Sequence, residues 1–353
     1  MSHYERRIEQ DLDSISQQVK AAAEEVEQAL DDAVRALLTQ DRDLANATIL
    51  GDLKINREIR DIDHRCLSFV ARHLPSAGHL RYVSAVRRLI IELERVGDYA
   101  VAMCRASVQL SEPPPGALMR DVEMMADHSR QTLSEAIKAF NAGNADQARA
   151  VRNLTTQMQS TFRRSLADLA LVGKEGSRST WDILSLATIL GRLERVNDQA
   201  KNICEETIFA VTGETKPPKV YRVLFIDEKD NCLTKMAEAI ARHDFPGSGR
   251  YASAGWSPTD QMDTGCRSLL DREGLDLDTY EPVQLQPVRD VLDDYHVIVG
   301  VGVDAHPQIP ELPFRTVLLR WELPPVENAA AALPILRTKV RELMVTLRGE
   351  DAP

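Results

Sequence analysis

The stretch LERVGDYAVAMC, Leu93 to Cys104, returns as LERVNDQAKNIC, Leu193 to Cys204, one hundred residues further on. Upstream, LDDAVRALLTQDRDLA (Leu30–Ala45) lines up with LSEAIKAFNAGNADQA (Leu133–Ala148) at an offset of 103. Two stretches in the same order at nearly one offset indicate a duplicated unit. From about Tyr4 to Val211 apolar residues recur at i, i+3, i+4 and i+7, which is the period of an amphipathic helix. In the first segment Leu12, Ile15, Val19, Ala23, Val26, Leu30, Val34 and Leu37 hold one stripe for about seven turns, a length typical of bundles. The run SEPPPG, Ser111 to Gly116, stops helical structure, because proline lacks the donor and clashes with the preceding turn. The duplicated unit therefore reads as three helices.

The pattern changes at TGETKPPK, Thr212 to Lys219, a polar linker with a proline pair. Short β-rich runs follow, YRVLFI (Tyr221–Ile226) and HVIVGVGV (His296–Val303), with helical segments between and after them. Strands that alternate with helices predict an α/β domain with a mainly parallel sheet. The expected organisation is a first repeat over residues 1–112, a second over 113–212, a linker over 213–219, an α/β domain over 220–345 and a tail over 346–353.

Composition removes several function classes. A net charge of −11 with no offsetting run of Lys and Arg argues against nucleic-acid binding. MSHYERRIEQ is polar and carries no apolar signal region, and no apolar run approaches the ~18 residues of a membrane span. The five cysteines, Cys66, Cys104, Cys204, Cys232 and Cys266, are odd in number and scattered, so neither a disulfide framework nor a zinc pattern emerges. A reducing cytoplasm is the expected location.

Glu94 and Asp98 lie four apart on one helix and share a face, and Glu194 and Asp198 repeat the arrangement. Like charges at that spacing cost about a few tenths of a kcal/mol in an isolated helix. A solvated acidic face with Arg95 and Arg195 as partners is the ordinary explanation. Recurrence at matching positions raises the alternative of a multivalent cation held by carboxylate oxygens from neighbouring helices.

ILGDLKINREI, followed by HLRYVSAVRRLIIELERVGDYAVAM, resembles the first repeat of the PhoU family of phosphate-signalling regulators. LERVNDQAKNICEETIFAVTGE is similar to the family's second repeat, and the resemblance covers nearly all of residues 4–212. It implies an all-α pair of pseudo-symmetric three-helix bundles. It also implies metal clusters on the ExxxD helices, carried over here to Glu94, Asp98, Glu194 and Asp198. The ion would be divalent or trivalent, of the Mg, Mn, Fe or Zn class. Asp52 and Asn56 on the preceding helix would complete the first site, whereas the second repeat has the neutral Thr155 and Gln159 at the 103 offset. The first site is therefore expected to bind metal better. His79 stands where the family usually has an Asp.

Residues 220–345 resemble low-molecular-weight protein phosphatases and the arsenate reductases of the same fold, through VLFI, MAEA, YASAGWSP (Tyr251–Pro258), REGLDLD (Arg272–Asp278) and VIVGVGVDA (Val297–Ala305) in order. That implies a four-stranded, mainly parallel sheet. The family's chemistry needs a C-x5-R loop in which a thiolate attacks, backbone amides hold the oxyanion and the Arg clamps it. Here Asp227 occupies the Cys position, Leu233 the Arg position, and Pro325 stands near the expected general acid. Asp227, Glu228 and Asp230 against one Lys229 would also repel a phosphate or arsenate. Cys266 and Arg272 satisfy C-x5-R literally, but in a segment that reads as helix, with no free amides to cradle an anion. Cys232 lies near the lost nucleophile, where a redox role is conceivable; Cys104 and Cys204 read as core.

The expected function is a non-enzymatic, negative regulator of phosphate uptake and of the phosphate-starvation two-component response. By resemblance its partners are the ATPase of the phosphate ABC transporter and a phosphate-sensing histidine kinase. The membrane is approached only through those partners, and a homodimer is compatible with the pattern. Three alternatives stay open: a metal-assisted phosphate-ester hydrolase with Asp227 as nucleophile, a receiver-like Mg²⁺ domain built on FIDEKD, for which Asp304 falls past the end of its strand, and a cytosolic scaffold unrelated to phosphate that has kept only the bundle.

Overall fold

Helix α1 (His3–Thr39) is long because Ile15, Val19, Ala22, Val26, Leu30, Ala33 and Leu37 keep one face apolar, and all of them are buried. The structure, a computed structural model, describes residues 3–155, 158–216, 218–323 and 329–350. The chain divides into two compact units, residues 1–216 and 217–353.

In the first unit α1 is followed by α2 (Arg42–His73), α3 (Ala77–Gln109), α4 (Gly116–Asn141), α5 (Ala145–Leu154), α6 (Met158–Glu175) and α7 (Thr180–Thr212). The duplication is visible in the helix caps. Asp41 accepts from the Leu44 amide at 2.9 Å to start α2, and Asn144 accepts from the Gln147 amide at 3.0 Å to start α5. An N-cap oxygen satisfies a backbone donor that the first turn leaves without a partner. α1, α2 and α3 pack on one another, as do α4, α5, α6 and α7. α3 lies against α7, with Leu93, Val96, Ala100, Leu193, Val196 and Ala200 all buried in one continuous core.

The repeats differ in their middle helix. α2 runs unbroken for 32 residues, whereas its counterpart is split into α5 and α6. Between α3 and α4, Ser111 is held by Asp182, which accepts from its amide at 2.9 Å and its hydroxyl at 2.5 Å. Gly213 closes α7 at φ 80°, a left-handed conformation that glycine adopts without strain.

The second unit is built on β1 (Tyr221–Asp227), β2 (Gly249–Gly255), β3 (Val297–Val301) and β4 (Val317–Trp321), all parallel in the order β2-β1-β3-β4. Alternation along β1 sends Val223 and Phe225 to one face, against α8 (Leu233–Asp244), α9 (Thr264–Glu273) and α11 (Ala329–Arg348). Leu224 and Ile226 point to the other face, with Leu285, Ile298 and Leu292 of the short α10 (Arg289–Leu292). Both faces are covered, as parallel sheets require. The sequence reading ended this domain at residue 345, but α11 continues to Arg348, whose guanidinium donates to the Lys219 carbonyl. Among the described residues no helix is long and apolar enough to cross a membrane.

Candidate functional site

Asp52 and Asn56 are one turn apart on α2, and the Asn56 amide donates to Asp52 Oδ2 at 2.7 Å. That bond leaves Asp52 Oδ1 and Asn56 Oδ1 buried with no hydrogen-bond partner. A buried oxygen without a donor is costly, and carboxylate and amide oxygens are the donor types a hard cation takes. The space beside them exists because position 97 is glycine: a Cβ there would lie 3.1 Å from Asp52 Oδ1. Asp98, the next residue on α3, lines a cavity of about 490 Å³ together with Asp52, Arg105 and Trp181. Burial pushes the Asp52 carboxyl above its ordinary range and the Asp98 charge adds to this, while the Asn56 bond and Arg105 oppose it.

The other expected ligands are placed differently. Glu94, one turn before Asp98, lines a separate groove with Asp63, Arg87 and Arg88. Arg95 pairs with Glu92 at 3.5 Å rather than with either member of its ExxxD pair. In the second repeat Glu194 is buried, and Asp198 forms an exposed ion pair with Arg195 at 3.7 Å. Asn197 replaces the glycine there. Its side chain donates to the Thr155 carbonyl at 2.6 Å and accepts from Thr132 at 3.1 Å, so it fills the space that Gly97 leaves free. Among the described residues no three His, Cys, Asp or Glu side chains come together as a metal cluster. The donor set in the first repeat is mixed, with two carboxylates and one amide oxygen.

In the second unit the loop after β1 turns back on itself. Asp227 Oδ1 accepts from the Lys229 amide at 3.0 Å and the Asp230 amide at 2.6 Å, so an internal carboxylate occupies amides that could otherwise meet an anion. Burial raises the Asp227 carboxyl above its ordinary range, and the neighbouring Asp230 charge adds to that against the two amide bonds. Asp230 adopts φ 48° and is fully buried. It accepts from Thr234 (2.9 Å), the Val283 amide (2.8 Å) and Lys235 (3.2 Å), and Lys235 is itself 1 % exposed. Gly255 is needed beneath this loop, because a Cβ would come within 2.7 Å of the Glu228 carbonyl.

The remaining sequence candidates separate cleanly. Leu233 opens α8 where the clamp would stand. Pro325 lies outside the described residues. Cys266 is buried in α9, while Arg272 pairs with Glu273 at 3.5 Å. Asp304 lies three residues beyond β3, the strand paired with β1, and accepts from the His306 amide at 3.1 Å. Cys104 and Cys204 are fully buried core residues.

The PhoU domain pattern matches residues 19–107 and 122–207. The phosphate-specific transport system accessory protein PhoU of Escherichia coli is 30% identical over 231 residues, covering 65% of this chain and 94% of that protein. The chain belongs to the PhoU family. The crystal structure of PhoU from Pseudomonas aeruginosa superposes with a TM-score of 0.56 at 31% identity, covering 58% of this chain and 99% of that one. Both matched segments of the PhoU pattern lie within the first unit. An arsenate reductase from Archaeoglobus fulgidus is similar to 36% of this chain and 99% of its own, at 25% identity and a TM-score of 0.28. The fold of the second unit stands on its own strand order rather than on that score.

Three residues that shape these sites were not singled out by the sequence. Gly97 and Asn197 sit inside the repeated LERV(G/N)D motif, where the small-to-polar change was readable, but that they meet Asp52 and Thr155 was not. Lys235 was hidden inside an ordinary helical segment.

Proposed function

We propose that this PhoU-family protein is a non-enzymatic accessory regulator of phosphate uptake and of the associated starvation response. Membership of the family across both repeats carries this reading, because the matched relatives are accessory proteins of phosphate-specific transport. Its partners would be the transporter's ATPase and a phosphate-sensing histidine kinase, met from the cytoplasmic side. Asp52, Asn56 and Asp98 would hold a hard cation between α2 and α3, with Glu94 on the same helix as Asp98. When bound, such an ion supplies positive charge that offsets the two carboxylates and ties the helices together. Glu194 and Asp198 form the weaker counterpart, since Asn197 already occupies the adjoining space.

The second unit would serve as a docking or sensing module without turnover. Its loop has a carboxylate where the thiolate of low-molecular-weight phosphatases attacks, a leucine in place of the clamp, and its amides bonded to Asp227. The same bonds count against Asp227 as a nucleophile in metal-assisted hydrolysis, because its Oδ1 is committed to two amides. A strain lacking this chain should express phosphate-starvation genes in high phosphate; silence of those genes would sink the regulatory reading. Purified full-length protein should release no phosphate from small phosphate esters with Mg²⁺ or Mn²⁺ present, and sustained turnover would overturn the non-enzymatic part alone.

A further inference from the structure

We propose that Cys232 and Cys266 form an oxidisable dithiol, a modification site that closes to a disulfide and locks the loop after β1 onto α9. Cys232 is the N-cap residue of α8, a helix of 12 residues, and makes no side-chain capping bond with it. Cys266 lies in the first turn of α9, with its amide on the Asp263 carboxylate at 2.8 Å. The two segments are already joined: the Asp263 amide donates to the Asn231 carbonyl at 3.0 Å, and the Cys266 thiol to the Cys232 carbonyl at 3.5 Å. A disulfide needs its two cysteines close in the backbone, and these bonds hold the Cys266 sulfur against the backbone of Cys232.

The pair is also asymmetric, as a rapid disulfide former should be. Cys232 is partly exposed and Cys266 is fully buried. The Cys266 thiol beside it lowers the Cys232 pKa below the ordinary thiol value, against burial and the Asp263 and Asp227 charges. Cys266 is pushed in the opposite direction by Cys232 and by burial. Met236 Sδ lies 3.8 Å from the Cys232 sulfur and brings no further charge. Cys232 is therefore the attacking thiolate and Cys266 the resolving thiol. Burial instead raises the other thiols, Cys66 to about 12, Cys104 to about 11 and Cys204 to about 12.

With hydrogen peroxide as oxidant, the Cys232 thiolate attacks one peroxide oxygen. The O–O bond breaks, hydroxide leaves, and Cys232 becomes a sulfenic acid. Cys266 sulfur then displaces the hydroxyl group, its own proton leaving with that group as water. Two electrons pass from the sulfurs to the peroxide, and a thiol reductant reverses the change.

The test uses reduced full-length protein treated with peroxide, alkylated after denaturation and digested without reductant for mass spectrometry. The expected product is one linked peptide pair carrying Cys232 and Cys266, lighter by two hydrogens and released by dithiothreitol, with Cys66, Cys104 and Cys204 alkylated. In native protein Cys232 should be alkylated at least about tenfold faster than those three. Cys266→Ser should convert the disulfide into a Cys232 sulfenic acid that dimedone traps, a readout that survives even if the variant is less stable. Recovery of both thiols unlinked, direct passage of Cys232 to sulfinic acid in the unaltered chain, or a bridge to another cysteine would overturn the proposal.

Discussion

The Asn197 side chain donates to the Thr155 carbonyl at 2.6 Å, while at the matching point of the first repeat Gly97 leaves Asp52 Oδ1 without a donor. One repeat has closed the space with protein and the other has kept it open. Metal should therefore load on the first repeat. Metal analysis of full-length protein should show Asp52→Asn and Asp98→Asn weakening binding by roughly 10–100-fold, and Glu194→Gln changing it far less. Gly97→Asn, which places a side chain against Asp52, should remove metal as completely as Asp52→Asn. Equal losses from Glu194→Gln and Asp52→Asn would contradict the asymmetry.

The turn that joins the repeats depends on Asp182. Bonds from the Ser111 hydroxyl and amide hold its carboxyl below the ordinary carboxylate range. A depressed folded pKa contributes stability that is present above the unfolded value, near 4, and is lost as pH falls through the folded value. Asp182→Ala should cost about 1–3 kcal/mol at neutral pH by denaturant melts, and the difference should shrink in acid. A constant difference across pH would show that the contribution comes from packing rather than charge.

Much of the first unit was legible because its signal is periodic and repeated: the α1 stripe, the proline run and the doubled LERV motif each point to helix ends or faces that the fold confirms. The second unit was harder. β2 is GRYASAG, rich in small residues, and β4 is VLLRW, largely exposed or half-buried, so only the apolar runs of β1 and β3 announced themselves. At the site, spacing placed Glu94 and Asp98 on one helix face, yet they line different cavities. A helix face is wide, and neighbouring helices decide which part of it opens where. The bonds of Asp227 and Asp230 could not be read at all, since they depend on a backbone turn.

The buried Asp230–Lys235 pair should behave as a structural lock on that turn. Both side chains are out of solvent and 3.2 Å apart, so removing one leaves an uncompensated charge. Lys235→Ala should destabilise the second unit by about 3–5 kcal/mol, seen as a selective loss of its amide-exchange protection. Lys235→Ala combined with Asp230→Asn should recover part of this, because the orphan charge is gone. A double variant no better than the single one would mean that packing of the lysine stem, not its charge, is what matters.

Asp227 supplies the sharpest discrimination about the loop. Its folded pKa is raised, so its ionisation in the native state opposes folding. The sign follows: the favourable contribution is complete below the unfolded value near 4 and is lost as pH rises through the folded value. Asn keeps an oxygen for the Lys229 and Asp230 amides but carries no charge. Asp227→Asn should therefore stabilise the protein at pH 7 and give no gain near pH 3. Asp227→Ala should instead destabilise, because the two amides lose their acceptor, and added phosphate should restore part of the melting temperature by taking its place. If phosphate leaves Asp227→Ala unchanged while Asp227→Asn behaves as expected, the loop has lost its anion site in shape as well as in charge. If phosphate stabilises the unaltered chain as strongly as Asp227→Ala, the carboxylate does not hold the amides, and the internal-anion account of this loop fails.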